Sequence, residues 1–287
     1  MLRIEMPRHE LTISPEVTVG NRNRYSTATG VAFINENLLI SAAFNNKMLY
    51  LIELLENEHK IIHQLKTKHN PDLLKYKDGI ILTSDYPYMQ SAGHASIYKI
   101  IDKTIVFKKE IMLANTKAHG AEIIDENNII ITSNSDYNRG LLYIDINSGI
   151  ILKNFNKFKH YPKDVAIKDE YLFVVTSESL PQIGKTTVIK ESILYVFNKT
   201  SFEKIDEITF YGQTDSLTII GKDIFITVQG DDTIVHFKFI DDKLFIMERI
   251  NGFNFPHGIA SYSGRIAVTN YGDNTIRIFE LSELISI

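Results

Sequence analysis

Apolar residues along the chain come in short runs separated by Gly, Asn, Asp and Ser, and no run is long enough for a typical helix. The clearest case is Phe255 to Leu281, with β-patterned runs at Gly258 to Ser261, Arg265 to Thr269 and Thr275 to Phe279. A Ser263-Gly264 turn and a Gly272-Asp273-Asn274 turn separate them, the punctuation of an antiparallel meander. Five earlier segments share this phase. Placing Gly30, Asp72, Gly120, Asp164, Asp215 and Gly258 in one column gives successive spacings of 42, 48, 44, 51 and 43 residues. That is the period of four-stranded propeller blades.

Each start leads to a strongly apolar second run, at 38–40, 80–82, 129–131, 171–175, 224–228 and 266–268. These runs are rich in Ile, Val, Phe and Leu, as strands covered on both faces should be. Third runs follow at 49–52, 97–100, 141–144, 193–197, 234–237 and 276–279, and fourth runs at 61–65, 106–111, 150–155, 204–210 and 245–250. None is left for the sixth segment. The pattern predicts an all-β, six-bladed β-propeller of four-stranded antiparallel blades, one domain over 1–287, with blades starting near 28, 70, 118, 162, 214 and 256. A propeller must close its ring or present open edges, and the unassigned run 10–19 is the expected closing strand. A β-sandwich is the alternative, but it has no need of six segments in phase. Two long connections, 85–96 and 177–192, join second and third strands in blades two and four; rigid scaffolds present such loops for binding, although tolerated surface loops look alike.

Composition narrows the function only slightly. With 44% hydrophobic residues, 16 Phe and 14 Tyr, the chain can bury a substantial core. A net charge of -4 gives no reason to expect a polyanion, so no nucleic-acid partner is expected. The absence of Cys excludes disulfides, thiolate metal sites and a Cys nucleophile. Arg3, Glu5, Arg8 and Glu10 interrupt any signal-peptide pattern, and no apolar stretch reaches the ~18 residues of a membrane span. The expectation is a soluble, cytoplasmic protein with no membrane partner.

The last segment resembles blades of the six-bladed NHL, gluconolactonase (SMP-30) and YncE-like propellers, in which a P-x-G-[IV]-A start and a V-T-N-x-G-D-N turn are common. Here they read Pro256-His257-Gly258-Ile259-Ala260 and Val268-Thr269-Asn270-Tyr271-Gly272-Asp273-Asn274. The resemblance implies the propeller fold, but that fold hosts lactonases, lyases, synthases and plain binding modules. The gluconolactonase branch implies one divalent metal held by a first-blade Glu, two Asn and an Asp. The first blade here starts Ala28-Thr29-Gly30 and offers no carboxylate, so none of those ligands is carried over.

Loops entering the inner strands and loops joining second to third strands open on one face of a propeller, around a funnel. The first set contributes His69, Asp72, His119, Glu122, Lys163, Asp164, Asp215 and His257, and the second Asp85, Asn134, Asp136, Glu178, Gln229, Asn270 and Asp273. His119 and His257 share a column in blades three and six. With Asp164 or Asp215 they would make an acid/base site, whereas a His before Gly also serves simply to bond a neighbouring backbone. His69, Asp72, Glu122, Lys163, Asn134, Glu178, Gln229 and Asn270 are the expected small-molecule contacts. Carboxylate and imidazole groups would also take one divalent ion (Ca, Mg, Mn or Zn), although no two have a local ligand spacing. Asp72, Asp164 and Asp215 share a column, and at least one of them is expected to cap an inter-blade turn with its carboxylate instead.

No GxSxG elbow, HExxH, phosphate-binding glycine loop or EF-hand loop occurs. Two readings follow. One is a small-molecule enzyme of hydrolase, lyase or isomerase type with His119, His257, Asp164 and Asp215 at the channel mouth. The other is a non-catalytic scaffold that holds a protein or peptide through its top face and the loops 85–96 and 177–192. A polar funnel favours the first, and a channel plugged by side chains favours the second.

Overall fold

A computed structural model describes residues 28–55, 59–87, 92–136, 138–178 and 190–285, and the backbone of 2–4 and 9–12. Among them are six antiparallel sheets, blades 1 to 6, covering 28–66, 71–114, 118–155, 161–211, 214–251 and 256–280. In each blade the strands that come from one stretch of chain lie in chain order from the innermost outward.

The core is not one mass but a ring of six interfaces. Each apolar cluster draws on two adjacent blades: 1 and 2, 2 and 3, 3 and 4, 4 and 5, 5 and 6, and finally 6 and 1. The second strands explain how. In Tyr171–Ser177, Leu172 and Val174 pack toward blade 3 while Phe173 and Val175 pack toward blade 5. Successive side chains of a strand point to opposite faces, so a blade sandwiched between two others needs an unbroken apolar run. Every second strand has one, and each large buried side chain contributes roughly 1.5–3 kcal/mol of burial.

Blade 6 lacks an outer strand of its own. His9–Thr12 supplies it, pairing antiparallel with Thr275–Glu280 from His9 opposite Ile278 to Thr12 opposite Thr275. Closure thus comes from the N-terminal side, one residue earlier at its start than the expected 10–19, and 13–19 lies outside the described residues. A second N-terminal strand, Leu2–Ile4, adds in parallel to the outer strand of blade 5, which the sequence pattern did not indicate.

The inner strands carry a shared irregularity that sets the site. In five blades the pairing with the second strand skips between the first and fourth residues: Ala28/Val31, Pro71/Leu74, Ala118/Ala121, Thr214/Leu217 and Pro256/Ile259. Blade 4 has its bulge between Pro162 and Asp164. Bulges re-aim side chains, and here they bring six equivalent residues to the channel: Thr29, Asp72, His119, Lys163, Asp215 and His257. The column drawn from sequence was therefore out of step. Asp72 and Asp215 stand beside the histidines, whereas Asp164 stands one place later, with Gly120 and Gly258. The three aspartates do not share a column.

Candidate functional site

A repeated hydroxyl fixes the backbone of this ring. Thr132 Oγ1 accepts from Gly120 N at 2.7 Å and donates to the Lys163 carbonyl of the next blade at 3.1 Å. Thr227 bridges Ser216 N and the His257 carbonyl, Thr269 bridges Gly258 N and the Thr29 carbonyl, and Ser84 bridges Leu73 N and the His119 carbonyl. The ring residue of one blade is thus held by the second strand of the blade before it. The same approach explains the glycine after each histidine. A Cβ on Gly120 would lie 2.5 Å from the Lys163 carbonyl, and one on Gly258 2.3 Å from that of Thr29.

Within the ring, Asp215 sits between the two imidazoles. Its Oδ1 is 2.9 Å from His119 Nε2 and its Oδ2 is 2.7 Å from His257 Nε2. Asp72 completes the square more loosely, at 3.7 Å from His119 and 3.4 Å from His257. The rings of His119 and His257 stack with centroids 6.0 Å apart, and the edge of Tyr86 and the face of Tyr271 cover them. Gln229 Nε2 donates to Asp215 Oδ2 and its own carbonyl accepts from Gln213. The six ring residues range from 0% to 7% exposed, so they close this end of the channel.

Charge follows from contact. Burial alone would lower both imidazoles, but Asp215 and Asp72 outweigh it: His119 is raised, and His257 is raised to about 9. Burial would raise both carboxylates. For Asp215 the short histidine contacts prevail and hold it below the usual carboxylate range, whereas for Asp72, with longer contacts, burial prevails and raises it. Lys163 is fully buried, its Nζ has no hydrogen-bond partner among the described residues, and burial lowers it to about 8.

The other expected site residues are dispersed. Asp164 does not orient a histidine; its Oδ2 accepts from Ser216 Oγ at 2.7 Å and Leu217 N at 3.1 Å and pairs with Lys75 at 3.3 Å. Glu122 lies three residues beyond His119, toward the opposite end, in a cavity of about 200 Å³ that Lys75, Thr218 and Ser261 also line. It is therefore not in the histidine mouth. His69 is outside the channel, stacked on His94 at 3.8 Å and paired with Glu110 at 2.9 Å. Glu178 is exposed and accepts from Glu191 N. Asn270 is turned into its own blade, donating to Thr275 Oγ1 and accepting from Asn254 N. Asn134 is buried, with neither side-chain amide atom partnered among the described residues.

Sequence reasoning missed Thr29, Tyr271 and Lys75. Thr29 had a signal: it precedes Gly30 as His119 precedes Gly120 and His257 precedes Gly258. The first-blade ring position is thus a threonine and the ring carries no Glu or Asn, so the gluconolactonase ligand set does not fit this chain.

No family model matches the sequence, and no curated protein matches it. Solved structures do. The WD40 β-propeller domain of Doa1 superposes with a TM-score of 0.67 at 11% identity, covering 98% of this chain and 99% of that one. A chain of a mitotic checkpoint complex gives 0.63 at 9% identity, over 96% and 95%. Hydrazine synthase of Kuenenia stuttgartiensis gives 0.62 at 12% identity, over 88% and 83%. At such identities the likeness defines the fold class, a β-propeller. It carries no activity with it, and the neighbours span a complex subunit and an enzyme.

Proposed function

We propose that the chain is a non-catalytic propeller scaffold whose top face holds a protein or peptide partner. One observation carries this reading: the ring that should line a substrate funnel, Thr29, Asp72, His119, Lys163, Asp215 and His257, is packed shut, its six residues buried and its two histidines paired with Asp215. Small-molecule sites are typically cavities of about 300–1,000 Å³, and the cavity at the far end of the channel is about 200 Å³ with its lysine tied to Asp164. No helix among the described residues is long and apolar enough to cross a membrane. That one of the superposable chains was solved within a checkpoint complex agrees with an assembly role for this fold.

The top face offers a structured polar rim. Tyr161 hydroxyl donates to Asp136 at 2.8 Å, and the Arg139 guanidinium lies 4.5 Å over the Tyr161 ring. Tyr86, at the described start of the 85–96 connection, lies against His119, and 88–91 and 179–189 lie outside the described residues. The test is quantitative affinity capture from the source cell, with the recovered partner then purified and titrated against wild type and Arg139→Glu/Tyr161→Ala. Saturable 1:1 binding weakened at least tenfold by the double substitution supports the scaffold. Turnover of lactones, esters or hydroxy acids by wild type, abolished in His257→Gln, would overturn it in favour of the enzyme.

A further inference from the structure

Five of the six ring side chains have partners within the protein. Asp215 holds both imidazoles, Asp72 stands 3.7 and 3.4 Å from the same two nitrogens, and the Thr29 hydroxyl donates to the Pro71 carbonyl at 3.2 Å. Lys163 is the exception. It is 0% exposed, and its Nζ has no hydrogen-bond partner among the described residues. An ammonium carries three N–H groups and no acceptor, and a buried charge left alone is far costlier than a lost hydrogen bond.

A second unpartnered group belongs to the neighbouring blade. Asn134 is 1% exposed, and neither its Oδ1 nor its Nδ2 has a partner among the described residues. It follows Thr132 by two residues, the interval that returns a strand side chain to the same face, and the Thr132 hydroxyl donates to the Lys163 carbonyl at 3.1 Å. His119 Nδ1, on the inner strand of the same blade, lies 2.9 Å from that carbonyl. Asn134 and Lys163 thus flank the junction of blades 3 and 4 beside the axis. Buried polar groups are almost always paired, so two such groups at one junction call for a third body.

Charge decides what that body is. Against the pull of burial, Asp215 and Asp72 raise both imidazoles, and Lys163, which burial lowers to about 8, still carries its proton at neutral pH. Two carboxylates face these three cations, and burial pushes one of them, Asp72, toward its neutral form. The surplus is positive, so it repels a metal cation and attracts an anion. We propose that Lys163 Nζ and Asn134 Nδ2 hold one small monovalent anion, of halide size, at the axial edge of blades 3 and 4. The ion accepts from both donors, and a water beside it donates to Asn134 Oδ1. With the ring 0% to 7% exposed, a larger anion has no way in. The bound ion ties the ring residue of blade 4 to blade 3 through its side chain as well as its carbonyl.

The inference goes beyond the scaffold reading, and its failure would leave that reading standing. The test has two arms. Wild-type crystals soaked in bromide, which need no variant to fold, should show an anomalous peak in contact with Lys163 Nζ. In solution, the Tm of wild type should rise by about 3–6 °C from about 5 mM to about 500 mM chloride, with gluconate holding the ionic strength constant. Lys163→Met, a linear apolar replacement, should abolish that rise and Asn134→Leu should reduce it, whereas Lys108→Met, at an exposed position, should keep it. Bromide confined to surface lysines, water alone beside Lys163, a Tm indifferent to chloride, or a chloride response that Lys163→Met retains overturns the assignment.

Discussion

The hydroxyl of Thr269 donates to the carbonyl of Thr29 at 2.7 Å across 240 residues of sequence, joining the last blade to the first. The same oxygen accepts from Gly258 N, so one side chain satisfies groups on both sides of the seam. Ala28 N adds a bond to Asn274 Oδ1 at 3.1 Å. Thr269→Val keeps the shape and removes the hydroxyl, leaving a buried donor and acceptor unpaired. A loss of about 1–3 kcal/mol is expected in urea unfolding. Thr132→Val, away from the seam, should cost about the same, and a negligible effect at both sites would contradict the bridging role.

Gly120 is held open by its neighbour rather than by its own backbone angles. A methyl group there would meet the Lys163 carbonyl and the Cα of Asp164, both backbone. Gly120→Ala should destabilise by about 1–3 kcal/mol as the strands of blades 3 and 4 are pushed apart. A calorimetric Tm equal to that of wild type would show that the interface yields more easily than its packing implies.

Phe225 is fully buried in the interface of blades 5 and 6. Phe225→Ala should lose about 3–5 kcal/mol, measured by denaturant unfolding. The exposed Phe245, on the outer strand of blade 5, provides the contrast, and Phe245→Ala is expected within about 0.5 kcal/mol of wild type.

Asp85 supplies a pH dependence outside the ring. It is buried, and desolvation raises its carboxyl to about 7 despite bonds from Ser96 and Thr83. The folded protein thus holds this proton where the unfolded chain releases it. The contribution to stability is fully present below about pH 4 and is lost as pH rises toward 7. The difference in unfolding free energy between Asp85→Asn and wild type should therefore grow in the variant's favour from pH 4 to 7 and level off above. A difference independent of pH would contradict the buried, protonated assignment.

The blades were legible because their signal is redundant. A second strand such as 171–177 is apolar at every position that a neighbouring blade covers, and six repeats fix the phase to within a residue. One residue was the limit. A bulge adds a residue without altering composition, so the spacing sets Asp72 and Asp215 in the column of Gly120 and Gly258 although they stand with the histidines, while Asp164, which does occupy that column, faces Ser216 and Lys75 instead of an imidazole. His119 and His257 were found because each precedes a glycine that the next blade's carbonyl requires. Lys75 was invisible, since its partner Asp164 belongs to a blade 89 residues away and meets it only across the channel.

A ring that is a closed structural hub differs from a reactive funnel in what the loss of one histidine does to stability and turnover. The most direct measurement is urea unfolding of His257→Gln against wild type, with turnover of a lactone and ester panel followed on the same samples. A loss of about 3–5 kcal/mol is expected, because the substitution strips a partner from the buried Asp215, with no turnover by either protein. Unchanged stability together with a wild-type activity that the variant lacks would contradict the closed hub.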